Sequence, residues 1–177
     1  MTSSPYASSP QQEQSSQFAR PARQKNWFTS FVRIFLIAGA VTLICIYVLR
    51  PVFLNGTSMM PTYSNHVFTF ALLPYFKIYA PQRQQIVILS HPKAKSFFIK
   101  RIIAFPGDTV EIRNGVLYLN NRALNEPYVK YQCKWNMTRC EVPKGKIFVL
   151  GDNRSMPMRE HMGGLIDQRR LVGVPIW

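Results

Sequence analysis

Two observations predict a mostly β protein, with one N-terminal transmembrane helix followed by an antiparallel β-sheet domain. The first is an apolar stretch from Trp27 to Leu49. The second is a series of short β-branched or aromatic runs after Pro51, separated by turn residues. With 177 residues and 47% hydrophobic composition, the chain can form one domain with a buried core beside an appendage.

The N-terminal part predicts a tail and an anchor. Residues 1–26 are rich in Ser, Gln and Pro, so we expect a disordered cytoplasmic tail. Residues 27–50 are expected to be the transmembrane anchor, because a helix from Trp27 to Leu49 would be about 34 Å long and the hydrocarbon core is about 30 Å thick. A buried core helix is the alternative. The late start and the lack of a small-x-small cleavage site favour an uncleaved anchor over a signal peptide.

Six short runs after the anchor have strand character. Asn114-Gly115 lies between two of them and is typical of a β-hairpin turn. Other turns contain Pro-Gly, Asn-Asn or Gly-Asp, and no internal repeat is evident. The predicted strands are Val67–Phe70, Gln85–Leu89, Phe97–Ile99, Thr109–Ile112, Val116–Leu119 and Lys146–Leu150.

The charge of the chain favours a membrane surface over nucleic acid as a partner. The net charge is +14, from 22 Lys and Arg against 8 Asp and Glu. These basic residues are scattered through apolar runs, whereas a protein that follows a phosphate backbone gathers them in one patch. We therefore expect contact with anionic membrane lipid and no nucleic acid. The basic flank before the anchor favours a cytoplasmic N-terminus and an extracytoplasmic domain at residues 51–177.

The cysteines and histidines predict no metal site. Cysteine and histidine spacings typical of zinc sites are missing, and His66, His91 and His161 each stand alone. We expect no cofactor. Cys133 and Cys140 bracket a six-residue polar stretch, and a disulfide could close this short loop outside the cytoplasm.

One serine and one lysine are candidates for catalysis. Ser58 lies in the segment Gly-Thr-Ser-Met-Met-Pro-Thr, which fits a nucleophile loop and also an ordinary turn after an anchor. Because no histidine has a motif-like setting, the base would be a lysine whose burial disfavours its charged form. Lys100 ends an apolar run and is the candidate, although an ordinary solvent-exposed lysine on a strand would look the same.

Three segments, taken in order, resemble the signature boxes of type I signal peptidases. They span residues 56–62, 99–110 and 148–154, and together with the anchor the resemblance covers about residues 27–177. It implies a partly open antiparallel β-barrel with an inserted hairpin region at about residues 113–145. It also implies a membrane-bound serine endopeptidase that removes signal peptides from exported proteins, with Ser58 as nucleophile and Lys100 as general base of an acyl-enzyme mechanism.

The resemblance also implies roles for the neighbours of this pair. Gly56 places the chain with the members that have glycine two residues before the nucleophile, and it offers no hydroxyl to the oxyanion. Shallow apolar substrate pockets would be lined by Leu54, Gly56, Met59, Tyr63, Phe98 and Ile99, whose alternative role is core packing. Structural support would come from Pro61, Arg101, Gly107, Asp108, Gly151, Asp152, Asn153 and Arg154.

The chain departs from the family pattern at two places. Gln84-Gln85 stand where many members have Gly-Asp before a strand. After Arg154 the family continues into a Ser-x-Asp-Ser-Arg run, whose serine helps to hold the lysine amine and whose Asp-Arg pair braces the site. In this chain Ser155 could offer a replacement hydroxyl, and Arg159 with Glu160 a replacement ion pair. The residues at the altered positions are Pro157, Arg159, Glu160 and His161.

The resemblance leaves alternatives within the family. The chain could be a specialised peptidase that processes pilins, or a membrane-anchored scaffold that keeps the fold with impaired catalysis. The expected partners are signal peptides of exported preproteins, anionic lipid and the protein translocation machinery. The expected location is a bacterial inner or plasma membrane, crossed once.

Overall fold

The computed structural model describes residues 27–91, 96–161 and 164–176, apart from the side chain of Glu160. The tail at residues 1–26, for which we expect disorder, lies outside the described residues. The first described element is the apolar helix α1, Trp27–Tyr47. Its 21 residues give a length of about 32 Å, and it is long and apolar enough to cross a membrane. It ends before Leu49, which begins a strand instead.

The described residues after α1 contain eleven strands and one further short helix. The helix α2 is Tyr75–Ile78, and single 3-10 turns lie at Met158–His161 and Gln168–Arg170. The strands are β1 Leu49–Leu54, β2 Val67–Leu72, β3 Ile86–Ser90, β4 Phe97–Ala104, β5 Thr109–Arg113, β6 Val116–Leu119, β7 Arg122–Ala123, β8 Met137–Glu141, β9 Lys146–Leu150, β10 Gly164–Asp167 and β11 Leu171–Ile176.

These strands form two sheets, and all pairings in the described parts of the chain are antiparallel. The larger sheet has the order β1-β2-β11-β3-β4-β9-β10, and the smaller has the order β7-β6-β5-β8. The larger sheet is not a closed barrel, because β1 and β10 are its two edges. The predicted fold class, mostly antiparallel β after an N-terminal apolar helix, is confirmed.

The six predicted strands are present, with adjusted ends. The Asn114-Gly115 hairpin is confirmed: Arg113 pairs with Val116, and both turn residues have positive φ, 49° and 83°. β4 continues to Ala104 and therefore contains Lys100. Strands β1, β7, β8, β10 and β11 were not predicted. β1 continues the apolar stretch of the anchor, β7 has only two residues, β8 and β10 have little strand-typical patterning, and Gly173 and Pro175 interrupt the apolar run of β11.

Strand β4 is the element that all parts of the core share. Its residues from Ile99 to Ala104 are buried. Ile99 belongs to a cluster with residues of β1, β2 and β3, Ile102 to a cluster with β3, β9 and β10, and Ile103 to a cluster with the smaller sheet. Packing on this scale restricts side-chain movement, so β4 is a rigid support for Lys100.

The disulfide expected between Cys133 and Cys140 is absent, and both thiols are free. Cys140 lies in β8 opposite Val110, whereas the backbone of Cys133 packs against Gly115 in the turn at the far end of β5. These two points of β5 are roughly 10 Å or more apart at 3.3 Å per residue. The Cα atoms of a disulfide are at most about 7 Å apart, so the fold keeps the two cysteines separate.

Candidate active site

Three chain segments meet around Lys100. Lys100 lies in β4 opposite Val87 of β3, and its neighbour Arg101 lies opposite Leu150, the last residue of β9. The chain leaves β9 directly into Gly151 and Asp152, so this loop begins beside β4. The loop at residues 56–62 is the third segment. These are the three segments that the sequence singled out, at about residues 56–62, 99–110 and 148–154.

Hydrogen bonds connect the Ser58 loop to the loop after β9. The backbone N–H of Asn153 donates to the carbonyl oxygen of Ser58 at 2.9 Å. The side-chain amide of Asn153 donates to the carbonyl oxygen of Thr57 at 3.0 Å. The hydroxyl of Thr62 donates to Asp152 Oδ2 at 2.5 Å. These bonds fix the backbone on both sides of the Ser58 side chain.

Gly151 allows the two loops to approach this closely. A Cβ atom at this position would lie 2.2 Å from the carbonyl oxygen of Ser58, far inside van der Waals contact. In the other loop, Gly56 has a φ of +135°, a region that L side chains rarely adopt. Its N–H donates to Asn65 Oδ1 at 2.8 Å. The expected supporting role of Gly151 therefore has a steric basis.

The amine of Lys100 and the hydroxyl of Ser58 are hydrogen-bonded. Lys100 Nζ donates to Ser58 Oγ at 2.7 Å, although the two residues are 42 positions apart. Lys100 is only 3% exposed. Burial lowers the pKa of its amine to about 8, while the charge of Asp152 acts in the opposite direction. Near neutral pH a useful fraction of the amine is neutral and can accept the proton of Ser58.

The next residue, Arg101, has a carboxylate partner instead. Its guanidinium forms two hydrogen bonds with Asp152, at 2.9 Å to Oδ1 and 2.6 Å to Oδ2. Both side chains are largely buried. Arg101 also donates to the carbonyl oxygen of Gln84 at 2.6 Å, and its guanidinium carbon lies 3.8 Å from the ring centroid of Tyr128. The Arg101–Asp152 pair connects β4 to the loop after β9, which is itself hydrogen-bonded to the loop that contains Ser58.

Sequence reasoning missed two residues that complete this network, Glu126 and Tyr128. Glu126 accepts two hydrogen bonds from Arg154, at 2.5 and 3.2 Å, and one from the hydroxyl of Tyr128 at 3.0 Å. Arg154 in turn donates to the carbonyl oxygen of Gly151 at 2.9 Å. The one available signal was the scarcity of carboxylates: with 8 Asp and Glu in the chain, few could pair with buried arginines.

The expected substrate-pocket residues are separated in the structure. Leu54, Met59, Tyr63 and Ile99 lie in one core cluster, with exposures between 1% and 7%. Gly56 is exposed. Phe98 is half-buried and packs against another cluster. Phe98 also lines a cavity of about 250 Å³ between the end of β1 and the start of β4, together with Phe53, Asn55, His91, Ser96 and Phe97.

Asp108 and Gly107 lie at the turn before β5, and Pro61 lies in the loop after Ser58. Asp108 accepts hydrogen bonds from the N–H of Phe105, at 2.7 Å, and from the side chains of Arg83 and Asn120. Burial would raise the pKa of this carboxyl, but these hydrogen bonds lower it to about 2. Gly107, with a φ of +87°, provides the turn before it. The peptide bond before Pro61 is cis. The contacts of Asp108 brace the entry to β5.

The altered end of the third segment has one buried residue, His161. Its side chain is fully buried, its Nδ1 accepts a hydrogen bond from the N–H of Gly151 at 3.3 Å, and Trp135 contacts it edge to face. Burial, with the positive charges of Lys100 and Arg154, lowers its pKa to about 4. His161 therefore adds no positive charge beside the Lys100 amine near neutral pH.

Two other altered residues lie nearer the surface. Pro157 and Arg159 are exposed. The hydroxyl of Ser155 donates to Asn153 Oδ1 at 2.6 Å, whereas the Lys100 amine donates to Ser58 Oγ. A role of Ser155 in holding the amine stays a prediction. The suggested ion pair of Arg159 with Glu160 lies partly outside the described residues. In the parts of the chain that the structure describes, His, Cys, Asp and Glu do not form a group that could hold a metal ion.

Comparison with known proteins agrees with these features. The family model described as "Signal peptidase, peptidase S26" matches residues 25–176. The chain is 36% identical to signal peptidase I of Bacillus amyloliquefaciens over 163 residues, which cover 85% of this chain and 84% of that protein. It is 33% identical to signal peptidase I P of Bacillus subtilis subsp. natto over 171 residues, which cover 89% of this chain and 91% of that protein.

A third relative is signal peptidase I of Bacillus licheniformis, which is 31% identical over 168 residues, covering 87% of this chain and 89% of that protein. The family match at residues 25–176 includes the three segments that meet at Ser58 and Lys100. The chain belongs to the signal peptidase family, peptidase S26.

Proposed function

We propose that this signal peptidase cleaves its substrates with Ser58 as the nucleophile and Lys100 as the general base. The observation that carries the proposal is the 2.7 Å hydrogen bond from Lys100 Nζ to Ser58 Oγ. A base must lie within hydrogen-bond reach of the proton that it removes. Burial of the amine supports the same role, because it lowers the pKa of Lys100 to about 8. The substrates are signal peptides of preproteins.

The reaction has two stages. The neutral amine of Lys100 accepts the proton of Ser58 Oγ while this oxygen attacks the scissile carbonyl carbon. The protonated Lys100 then gives its proton to the nitrogen of the departing mature chain, and the signal peptide stays as an ester on Ser58. In the second stage Lys100 removes a proton from water, the water oxygen attacks the ester, and the proton returns to Ser58 as the peptide carboxylate leaves.

The oxyanion of each stage needs hydrogen-bond donors. The backbone N–H of Ser58 is the donor that the nucleophile itself provides, and one such donor contributes on the order of 3 kcal/mol in other hydrolases. Gly56 has no hydroxyl to add, and its own N–H donates to Asn65. A second donor therefore comes from another backbone group or from water.

The substrate preference follows from the shape of the site. Signal-peptide residues before the cut lie between the end of β1 and the start of β4, where Phe98 lines the 250 Å³ cavity. Leu54, Met59, Tyr63 and Ile99 belong to one packed core cluster, and Phe97, which also lines the cavity, packs against that cluster. A tightly packed wall excludes large side chains, which favours small residues near the cut.

The membrane placement belongs to the same proposal. The enzyme is anchored by α1, which crosses a bacterial inner or plasma membrane once, with the N-terminus in the cytoplasm and the β domain outside. Because the net charge is +14, anionic lipid is the favoured membrane surface. Preproteins reach the enzyme as they leave the translocation machinery, which makes that machinery a partner.

The experiment uses the full chain in membranes with an exported preprotein as substrate. Ser58→Ala and Lys100→Ala are each expected to abolish processing. The matched controls are Ser64→Ala, in the segment between β1 and β2, and Lys146→Ala, at the start of β9. Both residues are exposed, and both variants should process normally. Wild-type processing by either dyad variant would refute the proposal.

Covalent labelling separates an active enzyme from a scaffold of the same fold. A Ser-directed peptidase inhibitor should label the wild type and Ser64→Ala, but not Ser58→Ala. An unlabelled wild type that binds preprotein without cleaving it would establish the scaffold instead.

A further inference from the structure

The region between β7 and β8 is attached to the catalytic loops through two side chains. Glu126 binds Arg154 through both carboxylate oxygens, and the side chains are 10% and 2% exposed. The ring of Tyr128 covers the guanidinium of Arg101 at 3.8 Å, and its hydroxyl donates to Glu126. The two arginines lie 53 positions apart in the sequence and are held by residues only two positions apart.

Each of the two arginines is connected by contacts or by the chain to one residue of the Ser58–Lys100 pair. Arg154 donates to the carbonyl oxygen of Gly151, and Gly151 packs directly against the carbonyl oxygen of Ser58. Arg101 follows Lys100 in β4 and binds Asp152. Glu126 and Tyr128 therefore restrain both sides of the Ser58–Lys100 hydrogen bond without touching either residue themselves.

The charges of this network balance only when Lys100 is neutral. Two arginines are paired with two carboxylates, Arg101 with Asp152 and Arg154 with Glu126. Protonated Lys100 would then be an unpaired buried charge, which is costly. Removal of the Glu126 charge would leave Arg154 unpaired and make protonation of Lys100 still less favourable. The titratable groups around the Lys100 amine and these pairs are Asp152, Arg101, Arg154, Glu126, His161, Tyr63 and Tyr128.

We propose that Glu126 and Tyr128 are positioning residues of the peptidase reaction, which hold the Ser58–Lys100 pair in reacting geometry through Arg154 and Arg101. This inference rests on the proposed function of Ser58 and Lys100. It gives residues outside the three signature segments a part in turnover. Because neither residue contacts the cavity between β1 and β4, their loss affects kcat and leaves KM nearly unchanged.

The smaller sheet offers a matched control. There Arg113 forms an ion pair with Glu111 at 2.8 Å, and its guanidinium lies 4.2 Å from the ring centroid of Tyr118. Glu111 and Tyr118 make the same two kinds of contact as Glu126 and Tyr128, an ion pair and a ring over a guanidinium, but on a single arginine, and Arg113 is 54% exposed. Glu111→Gln and Tyr118→Phe therefore report the effect of the substitution without the connection to the dyad.

The test compares Glu126→Gln, Glu126→Asp and Tyr128→Phe with these controls in the full-length enzyme. Active sites are first counted with a Ser-directed inhibitor, so that rates refer to folded enzyme. Glu126→Gln should lower kcat per active site about tenfold, because small misplacements of reacting groups have effects of this size. Glu126→Asp, which keeps the charge, should recover part of the rate, and Tyr128→Phe, which keeps the ring, should lose less.

The pH profile is the second measurement. If neutral Lys100 is required, kcat/KM rises with pH through the pKa of Lys100. Glu126→Gln should move this rise to lower pH, because the unpaired Arg154 disfavours the protonated amine. A purely structural effect would reduce the number of active sites and leave the position of the rise unchanged.

The outcomes are distinguishable. The inference is overturned if Glu126→Gln and Glu111→Gln have the same kcat per active site and the same pH profile. If Glu126→Gln gives no countable sites, Tyr128→Phe decides, and equality with Tyr118→Phe overturns the inference. Cleavage by Ser58→Ala would instead refute the proposed function itself.

Discussion

Lys100 and Arg101 are adjacent in β4 and both are buried, yet their side chains bind different kinds of group. Arg101 receives the carboxylate of Asp152 and the ring of Tyr128. Lys100 receives the hydroxyl of Ser58. Since successive side chains of a strand point to opposite faces, one strand can place a paired, permanently charged group beside an amine that burial drives toward its neutral form. The placement of the Asp152 carboxylate thus distinguishes Arg101, which it pairs, from Lys100, the proposed general base.

The largest expected effect is the loss of activity in Lys100→Arg, which places a guanidinium, like that of Arg101, at position 100. Lys100→Arg keeps the positive charge, but a guanidinium does not lose its proton in proteins. We expect a loss of kcat/KM of about 10⁴ or more, the size seen when a member of a catalytic group is removed. Preprotein cleavage under single-turnover conditions measures it.

The reciprocal change, Arg101→Lys, is the control. It leaves Lys100 and Ser58 in place but gives up the bidentate geometry and stacking of arginine, so measurable cleavage should remain. Equal activity of Lys100→Arg and the wild type would show that the residue acts only through its charge, and the contrast between the two neighbours would lose its mechanistic meaning.

The second prediction concerns the carboxylate of Asp152, which is fully buried. Asp152→Asn would leave Arg101 as an unpaired buried charge, and breaking a buried pair in this way costs about 3–5 kcal/mol of unfolding free energy. Urea unfolding of the full chain in detergent gives the change. Asp167→Asn is the matched control, because its pair with Arg169 lies at the surface and solvent screens it. Equal stability of the two variants would contradict the importance that we give to burial.

The sequence allowed prediction of the parts of this site that depend on local patterns. Ser58 and Lys100, which the structure brings into contact, were proposed because the order of the three segments is itself a signal. Strand β4 was predicted because its first residues are strand formers. The supporting positions Arg101 and Asp152 were identified, but their mutual pairing was not. That contact joins residues 51 positions apart, and no periodicity of the chain reports such a distance.

The misses have related causes. Glu126 and Tyr128 lie outside the signature segments, and only tertiary packing shows that they reach Arg154 and Arg101. The disulfide prediction used the short sequence separation of Cys133 and Cys140. It was wrong because β5 and its turn keep the two cysteines at opposite ends. For His161, an isolated histidine in the sequence, the burial beside Gly151 follows from the path of the loop after β9.

The smallest expected effect is a pH dependence of stability that distinguishes Lys100 from any paired cation. Its pKa falls from 10.5 in the unfolded chain to about 8 in the folded protein. Between these values the unfolded chain binds more protons, so stability rises with pH through this window and is lost as pH falls through about 8. Lys100→Met removes the group and this dependence. The variant should therefore be more stable than the wild type at neutral pH by up to about 3 kcal/mol.

The pH-dependent part of the difference between the two proteins should shrink as the pH rises and vanish above 10.5, the pKa in the unfolded chain, where the wild-type amine is neutral in both states. Urea unfolding across this range measures it. Lys146→Met, which changes an exposed lysine, should run parallel to the wild type. If Lys100→Met also runs parallel, the amine is charged in the folded protein throughout the range. Burial would then not have lowered the pKa of Lys100, and Lys100 would be a charged residue like Arg101.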